Sequence, residues 1–169
     1  MRTSSLVRFN FALAHGVLVP HFHHNAAVEF EFSSELCEDP ASDAYFMGAD
    51  AVAVRLFMER EVGEWLTNRV LLWDQEASAF SGVPLKHEPG YVVPLLPEVL
   101  WSVRPTIEAI TFSLAHIAMS ALAHVNDDTV QPERLAVFES SRTAGVLVQH
   151  QIVAASAHPA ASAYRVPLS

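Results

Sequence analysis

A single cysteine, Cys37, stands in 169 residues, so no disulfide can close within the chain, and a reducing compartment is expected. Basic residues are scarce too. Ten Lys and Arg face nineteen Asp and Glu, for a formal charge of −9 with histidine neutral. That balance argues against nucleic acid and against an anionic membrane as partners. Long hydrophobic runs are also missing: the apolar uncharged stretch 109–125 is short for a bilayer crossing and carries Thr111, Ser113, His116, Ser120 and His124. No secretory leader is expected, because the opening MRTSSLVRFNF alternates and Arg8 falls where an apolar core would have to continue. No repeat of fixed period is visible. These absences together point to a cytoplasmic protein.

What is present is apolar. The chain is 51% hydrophobic with a mean hydropathy of +0.23, high for a small soluble monomer, so an interface in a homo-oligomer is expected. The length fits one domain with a real core, spanning 1–154. Residues 155–169, rich in small side chains and holding two prolines, read as a tail or interface arm.

The stretch 8–32, RFNFALAHGVLVPHFHHNAAVEFEF, organises the rest. Val7, Phe9, Phe11, Leu13 and His15 fall on one face of an extended chain by its two-residue period. His24, Ala26, Val28, Phe30 and Phe32 do the same in a second strand. Two such strands paired antiparallel bring together a knot of four histidines: His15, His21, His23 and His24. Neutral imidazole is the commonest side-chain metal ligand, and three of them leave zinc a fourth position for substrate or water. The plainer alternative is a group of solvated loop histidines.

Further along, 33–44 is polar, contains Pro40 and reads as a loop. Asp50 caps a helix reaching to about Asn68, with Ala51, Val54, Met58, Val62 and Trp65 at helical spacing. The stretch 74–104 is rich in proline and holds Gly82 and Gly90; so long a connection is a functional loop or contains short elements, such as a strand over 91–95. Pro105 opens a second helix, 106–124, sitting in its first turn. Ile107, Ile110, Leu114, Ile117 and Ala121 form its apolar stripe. Segments 134–140 and 145–153 read as a hairpin with Leu135, Val137 and Glu139 on one face. This order predicts an antiparallel α+β fold with helices on one sheet face.

These local motifs resemble those of the 6-pyruvoyl-tetrahydropterin synthase and 6-carboxy-tetrahydropterin synthase family. Phe11-Ala12-Leu13-Ala14-His15 is similar to its F-x-A-A-H strand end, and His24-Asn25-Ala26-Ala27-Val28-Glu29-Phe30 to its H-x-H-N-x-x-V-E-V strand. Asp50 to Arg55 resembles D-F-x-x-L-K, Pro105-Thr106-Ile107-Glu108-Ala109 resembles P-T-x-E-N, and Val137 to Ser141 resembles a late E-T-x-T strand. The likeness runs from about Leu6 to Val148. It implies the T-fold, a four-stranded antiparallel sheet with two antiparallel helices on one face, assembling into trimers or hexamers. It further implies zinc, or another divalent metal, on His15, His24 and one or both of His21 and His23. Glu139 would anchor a pterin-like ring, with Thr106 and Glu108 lining the same pocket; a carboxylate suits that task because it accepts two parallel hydrogen bonds.

The departures bear on the reaction. The family's catalytic cysteine corresponds to Leu18, and Leu66-Thr67-Asn68 stands where an L-D-H motif supplies an aspartate–histidine dyad. The expectation is therefore a lyase-like metalloenzyme with a changed reaction on a small polar heterocycle or carbonyl compound. Its alternative is a non-catalytic heterocycle-binding or assembly protein. His87 could replace the lost base, against the plainer view of a solvated turn before Pro89-Gly90. His116 reads as exposed opposite the apolar stripe, and His124 as a cation at a helix C-terminus. Arg142 reads as a hairpin-turn residue that could meet an anionic group. Trp65, Trp73 and Trp101 read as core or interface.

Overall fold

The computed structural model describes residues 1–15, 24–75, 98–125, 128–143 and 146–155. Its elements are β1 (Arg2–His15), β2 (His24–Glu35), α1 (Ala51–Trp65), β3 (Val70–Trp73), β4 (Glu98–Trp101), α2 (Ile107–His124), β5 (Gln131–Thr143) and β6 (Val146–Ala155). The fold is mixed α+β, and one sheet runs in the order β4-β3-β1-β2-β5-β6. The four long strands pair antiparallel, while β3 and β4 join in parallel at the β1 edge.

The sheet thus has six strands where four were expected. The two additions follow from the sequence of β3, Val70-Leu71-Leu72-Trp73, an unbroken apolar run whose Val70, Leu71 and Leu72 are buried. Continuous rather than alternating apolar character is what a parallel strand covered on both faces shows. Its partner β4 comes from the stretch 74–104; a strand expected over 91–95 lies outside the described residues.

Alternation in the long strands sorts their faces. Val7, Phe9, Phe11 and Leu13 of β1, Ala26, Val28, Phe30 and Phe32 of β2, and Leu135 and Val137 of β5 join one core. Both helices contribute to that core, α1 through Val54, Met58 and Val62 and α2 through Ile110, Leu114, Ala118 and Ala121. On the other face Arg8 lies opposite Glu29, which also meets Arg134. A register shift between Glu31 and Phe32 places Phe32 opposite Pro132, so the proline falls at a bulge where its missing donor is tolerated.

Each helix starts at a side-chain cap. Asp50 accepts from Val52 N and Ala53 N, and Thr106 accepts from Ala109 N. α1 stops at Trp65, short of Asn68. Asn68 takes a positive φ of 54°, which asparagine tolerates, and turns the chain out of the helix into β3. Pro105 lies outside α2 rather than in its first turn, since the extended backbone of Thr106 makes it the cap. By length and composition α2 could match a membrane span, but six of its side chains, including Ile110, Leu114 and Leu122, are buried in the fold.

Candidate functional site

The site forms where β1 changes partner. Its pairing with β2 ends at Leu13 opposite His24, and Ala14 and His15 pair instead with Val70 and Leu71 of β3. Two backbone hydrogen bonds fasten this transfer: Asn68 N donates to Ala12 O at 2.7 Å and Ala14 N to Arg69 O at 2.9 Å. The end of β1 is therefore clamped by the turn that closes α1, and His15 is carried over the core face.

There His15 is 8% exposed and meets two groups from distant parts of the chain. Its Nδ1 is 2.7 Å from Pro105 O, and its Nε2 is 2.7 Å from Oε1 of Glu139, itself 6% exposed. A carbonyl oxygen only accepts, so Nδ1 carries a proton and donates it. Nε2 and Oε1 at this separation need a proton between them as well. The pair therefore holds one shared proton, either as imidazolium with carboxylate or as imidazole with carboxylic acid, and is neutral overall in both forms. Burial favours such a pair over either charge alone.

Pro105 is in place for a local reason. Thr106 caps α2 with its hydroxyl, and the preceding carbonyl is left to face His15 rather than enter the helix ladder. Thr106 is half-buried and follows Pro105, whose carbonyl meets His15, while Glu108 is exposed in the first turn of α2. On the neighbouring strand, Ala26 is the direct partner of Glu139. Glu139 does share its face with Leu135 and Val137, as its spacing predicts, but it is enclosed against His15 rather than set at a lip.

His24 begins β2 opposite Leu13, two positions from His15. His21, His23 and His87 lie outside the described residues, as does Leu18. Among the described residues no three His, Cys, Asp or Glu converge on one point. The donor types at the pair nevertheless fit zinc. With Nδ1 given to Pro105 O, Nε2 is the nitrogen that would be left for a metal, and an imidazole steadied through its other nitrogen by a backbone carbonyl is the usual outer-shell arrangement. Two ligands of one tetrahedral zinc, each at about 2.0–2.1 Å, lie roughly 3.3 Å apart. At 2.7 Å the pair is closer than two ligands of one zinc, so in this arrangement Nε2 serves Glu139.

The other candidates separate. Thr67 and Asn68, at the positions of the expected dyad, do structural work: Thr67 Oγ1 donates to Val62 O, and Asn68 holds β1. His116 is half-buried rather than exposed, and its Nε2 is enclosed without a hydrogen bond among the described residues. His124 is exposed with its ring 5.2 Å from that of Phe57. Arg142 lies within β5 opposite Leu147, not in the turn. Trp101 is core, whereas Trp73 stacks under the Arg104 guanidinium at 4.5 Å. Pro105 O and Ala26 were not among the expected site groups, because neither carries side-chain chemistry that a sequence pattern marks. No protein-family model matches the chain, and no curated protein matches it either.

Proposed function

We propose that this chain is a divergent T-fold protein of the 6-pyruvoyl-tetrahydropterin synthase type, which binds a small polar heterocyclic or carbonyl compound and moves protons on it. The observation that carries this is the buried contact of 2.7 Å between His15 Nε2 and Glu139 Oε1, steadied from behind by Pro105 O. A shared proton between an imidazole and a carboxylate is a ready acid and base, since either partner can give it up or take it back when a substrate atom arrives. Glu139 would accept the N–H and amino donors of a pterin-like or purine-like ring, and Thr106 and Glu108 at the start of α2 would line the same pocket. His15, with His24 and one or both of His21 and His23, would hold zinc or another divalent metal. That metal would supply Lewis-acid polarisation of a carbonyl or hydroxyl. A cytoplasmic homo-oligomer, trimer or hexamer, completes the proposal and accords with the high apolar content.

Equilibrium binding of a 2-amino-4-oxopteridine to the untagged full chain, with and without zinc, tests it. Binding that weakens tenfold or more in Glu139→Ala supports the reading. Equal binding by wild type and variant, or none in either condition, overturns it.

The use of Thr67 and Asn68 to end α1 and fasten β1 favours a second reading, in which the scaffold binds a heterocycle without transforming it. Solvent deuterium entering the bound ring compound at a rate that depends on His15 decides for catalysis; binding without any exchange decides for the second reading.

A further inference from the structure

We infer that Thr106 is a positioning residue for His15. By capping α2 it keeps the Pro105 carbonyl aimed at Nδ1, and so fixes Nε2 as the nitrogen that exchanges a proton with Glu139 and with substrate. The inference rests on the proton-transfer reading above, which needs a defined ring nitrogen on the reacting side. The Ala109 amide decides the matter. Four residues before it stands Pro105, whose carbonyl would be its ordinary partner in an α-helix. Thr106 intercepts that amide: Ala109 N donates to Thr106 Oγ1 at 3.3 Å, and the ladder opens one carbonyl later, with Ile110 N donating to Thr106 O at 3.0 Å. Pro105 O is thereby left to accept from His15 Nδ1 at 2.7 Å.

The direction of that carbonyl is also set from the other side. Thr106 N donates to Arg104 O at 2.8 Å, closing a three-residue turn with Pro105 at its centre. An inverse γ-turn needs a central φ of about −75°, close to the roughly −65° that a proline ring imposes. The C=O and N–H of a trans peptide point in opposite directions. With its N–H turned to Arg104 O, the Pro105–Thr106 peptide sends its carbonyl the other way, to His15. The stretch leading into the turn is tied to the end of β3: Asp74 N donates to Trp101 O at 2.8 Å, and Trp73 Nε1 to Ser102 O at 3.3 Å. The Arg104 guanidinium lies over the same indole at 4.5 Å. β3 also holds the backbone of His15, through Leu71. Both ends of the Nδ1 contact are thus referred to one strand, and Thr106 governs one of them.

The test reads the ring nitrogens of His15 by NMR in the ligand-free, untagged full chain at neutral pH, its signals assigned by their loss in His15→Gln. Wild type should show Nδ1 as a protonated nitrogen whose hydrogen exchanges slowly with solvent. Thr106→Ala releases the Ala109 amide to compete for Pro105 O and favours a helix one residue longer. There the Nδ1 hydrogen should exchange about fivefold faster, the factor of a lost cap, and the nitrogen signal should leave its N–H position. Thr106→Ser keeps a hydroxyl and should restore both. If the alanine variant does not fold, Thr106→Val carries the same expectation, since it lacks the hydroxyl but keeps the preference for extended backbone. Wild-type signals in a folded Thr106→Ala, or alanine-like signals in Thr106→Ser, overturn the inference and leave the proton-transfer reading standing. A wild-type Nδ1 without its hydrogen overturns it as well. None of these signals needs a bound ring compound, so failure of deuterium to enter a pteridine would sink that reading and leave the positioning of His15 in place.

Discussion

Ala26 and Glu139 are cross-strand partners on the core face, and the contact from His15 to Glu139 has to pass over the strand that carries Ala26. β2 lies between β1 and β5 in the sheet, so a side chain of β1 reaches β5 only across β2. Ala26 is 3% exposed and is the smallest of the buried side chains that β2 presents to the core. Ala26 also pairs with Phe11 of β1, so Phe11, Ala26 and Glu139 share one row of the core face.

Ala26→Leu should therefore overpack the core face and push His15 and Glu139 apart. The expected cost is about 1–3 kcal/mol, read by denaturant unfolding. A variant with wild-type stability would show that β2 leaves more room than its register implies.

Breaking the pair from either side should be expensive. His15→Ala and Glu139→Ala each remove one partner of a buried hydrogen bond, at about 1–3 kcal/mol. Because each single change already forfeits the contact, the double variant should cost less than the sum of the two, by roughly 0.5–3 kcal/mol. Strict additivity in the double-mutant cycle would mean that the two side chains do not depend on each other.

Two glycines should respond in opposite directions. A Cβ on Gly48 would meet Ser34 Oγ at 2.6 Å and Thr3 Cγ2 at 2.7 Å, and Ser34 is a buried residue whose Oγ accepts from Ala49 N. Gly48→Ala is expected to destabilise by about 1–3 kcal/mol. Nothing lies within 4 Å of a Cβ on Gly63, inside α1. Gly63→Ala should stabilise by about 0.5–1 kcal/mol. Thermal unfolding of the two variants side by side checks both signs.

Asp50→Ala should cost about 1 kcal/mol, because its Oδ1 holds the Val52 and Ala53 amides at 2.9 and 3.0 Å. Asp50→Ser should recover most of it. A full loss with serine would point to charge at the helix start, rather than the hydrogen bonds, as the stabilising agent.

The faces of the long strands were legible because a period of two needs nothing but the local sequence. Val7 to His15, Ala26 to Phe32, and Leu135 to Glu139 all turn inward as their spacing predicts. Both helices announced themselves through apolar spacing, and α1 through its cap at Asp50 as well, whereas the cap at Thr106 displaced the proline start expected for α2. β3 and β4 did not, since a four-residue apolar run has no period that separates a strand from the end of a helix. His116 misled for a similar reason: helical spacing places it off the stripe, but α2 is covered more widely than one stripe. That His15 and Glu139 lie near each other was legible only through the family resemblance. Their direct contact was not, because it depends on β1 leaving β2 after Leu13, and nothing in the local pattern of β1 marks that exchange.

The exchange of partners by β1 also sets an order of assembly. The β1–β2 pairing joins neighbouring parts of the chain, whereas His15 and Glu139 are 124 residues apart. At a synthesis rate of about 5–20 residues per second, on the order of ten seconds separate the emergence of the histidine from that of its carboxylate. A nascent chain that has not yet reached Gln131 holds His15 without Glu139, whatever else of the fold has formed. The pair thus marks a chain whose fifth strand has been made.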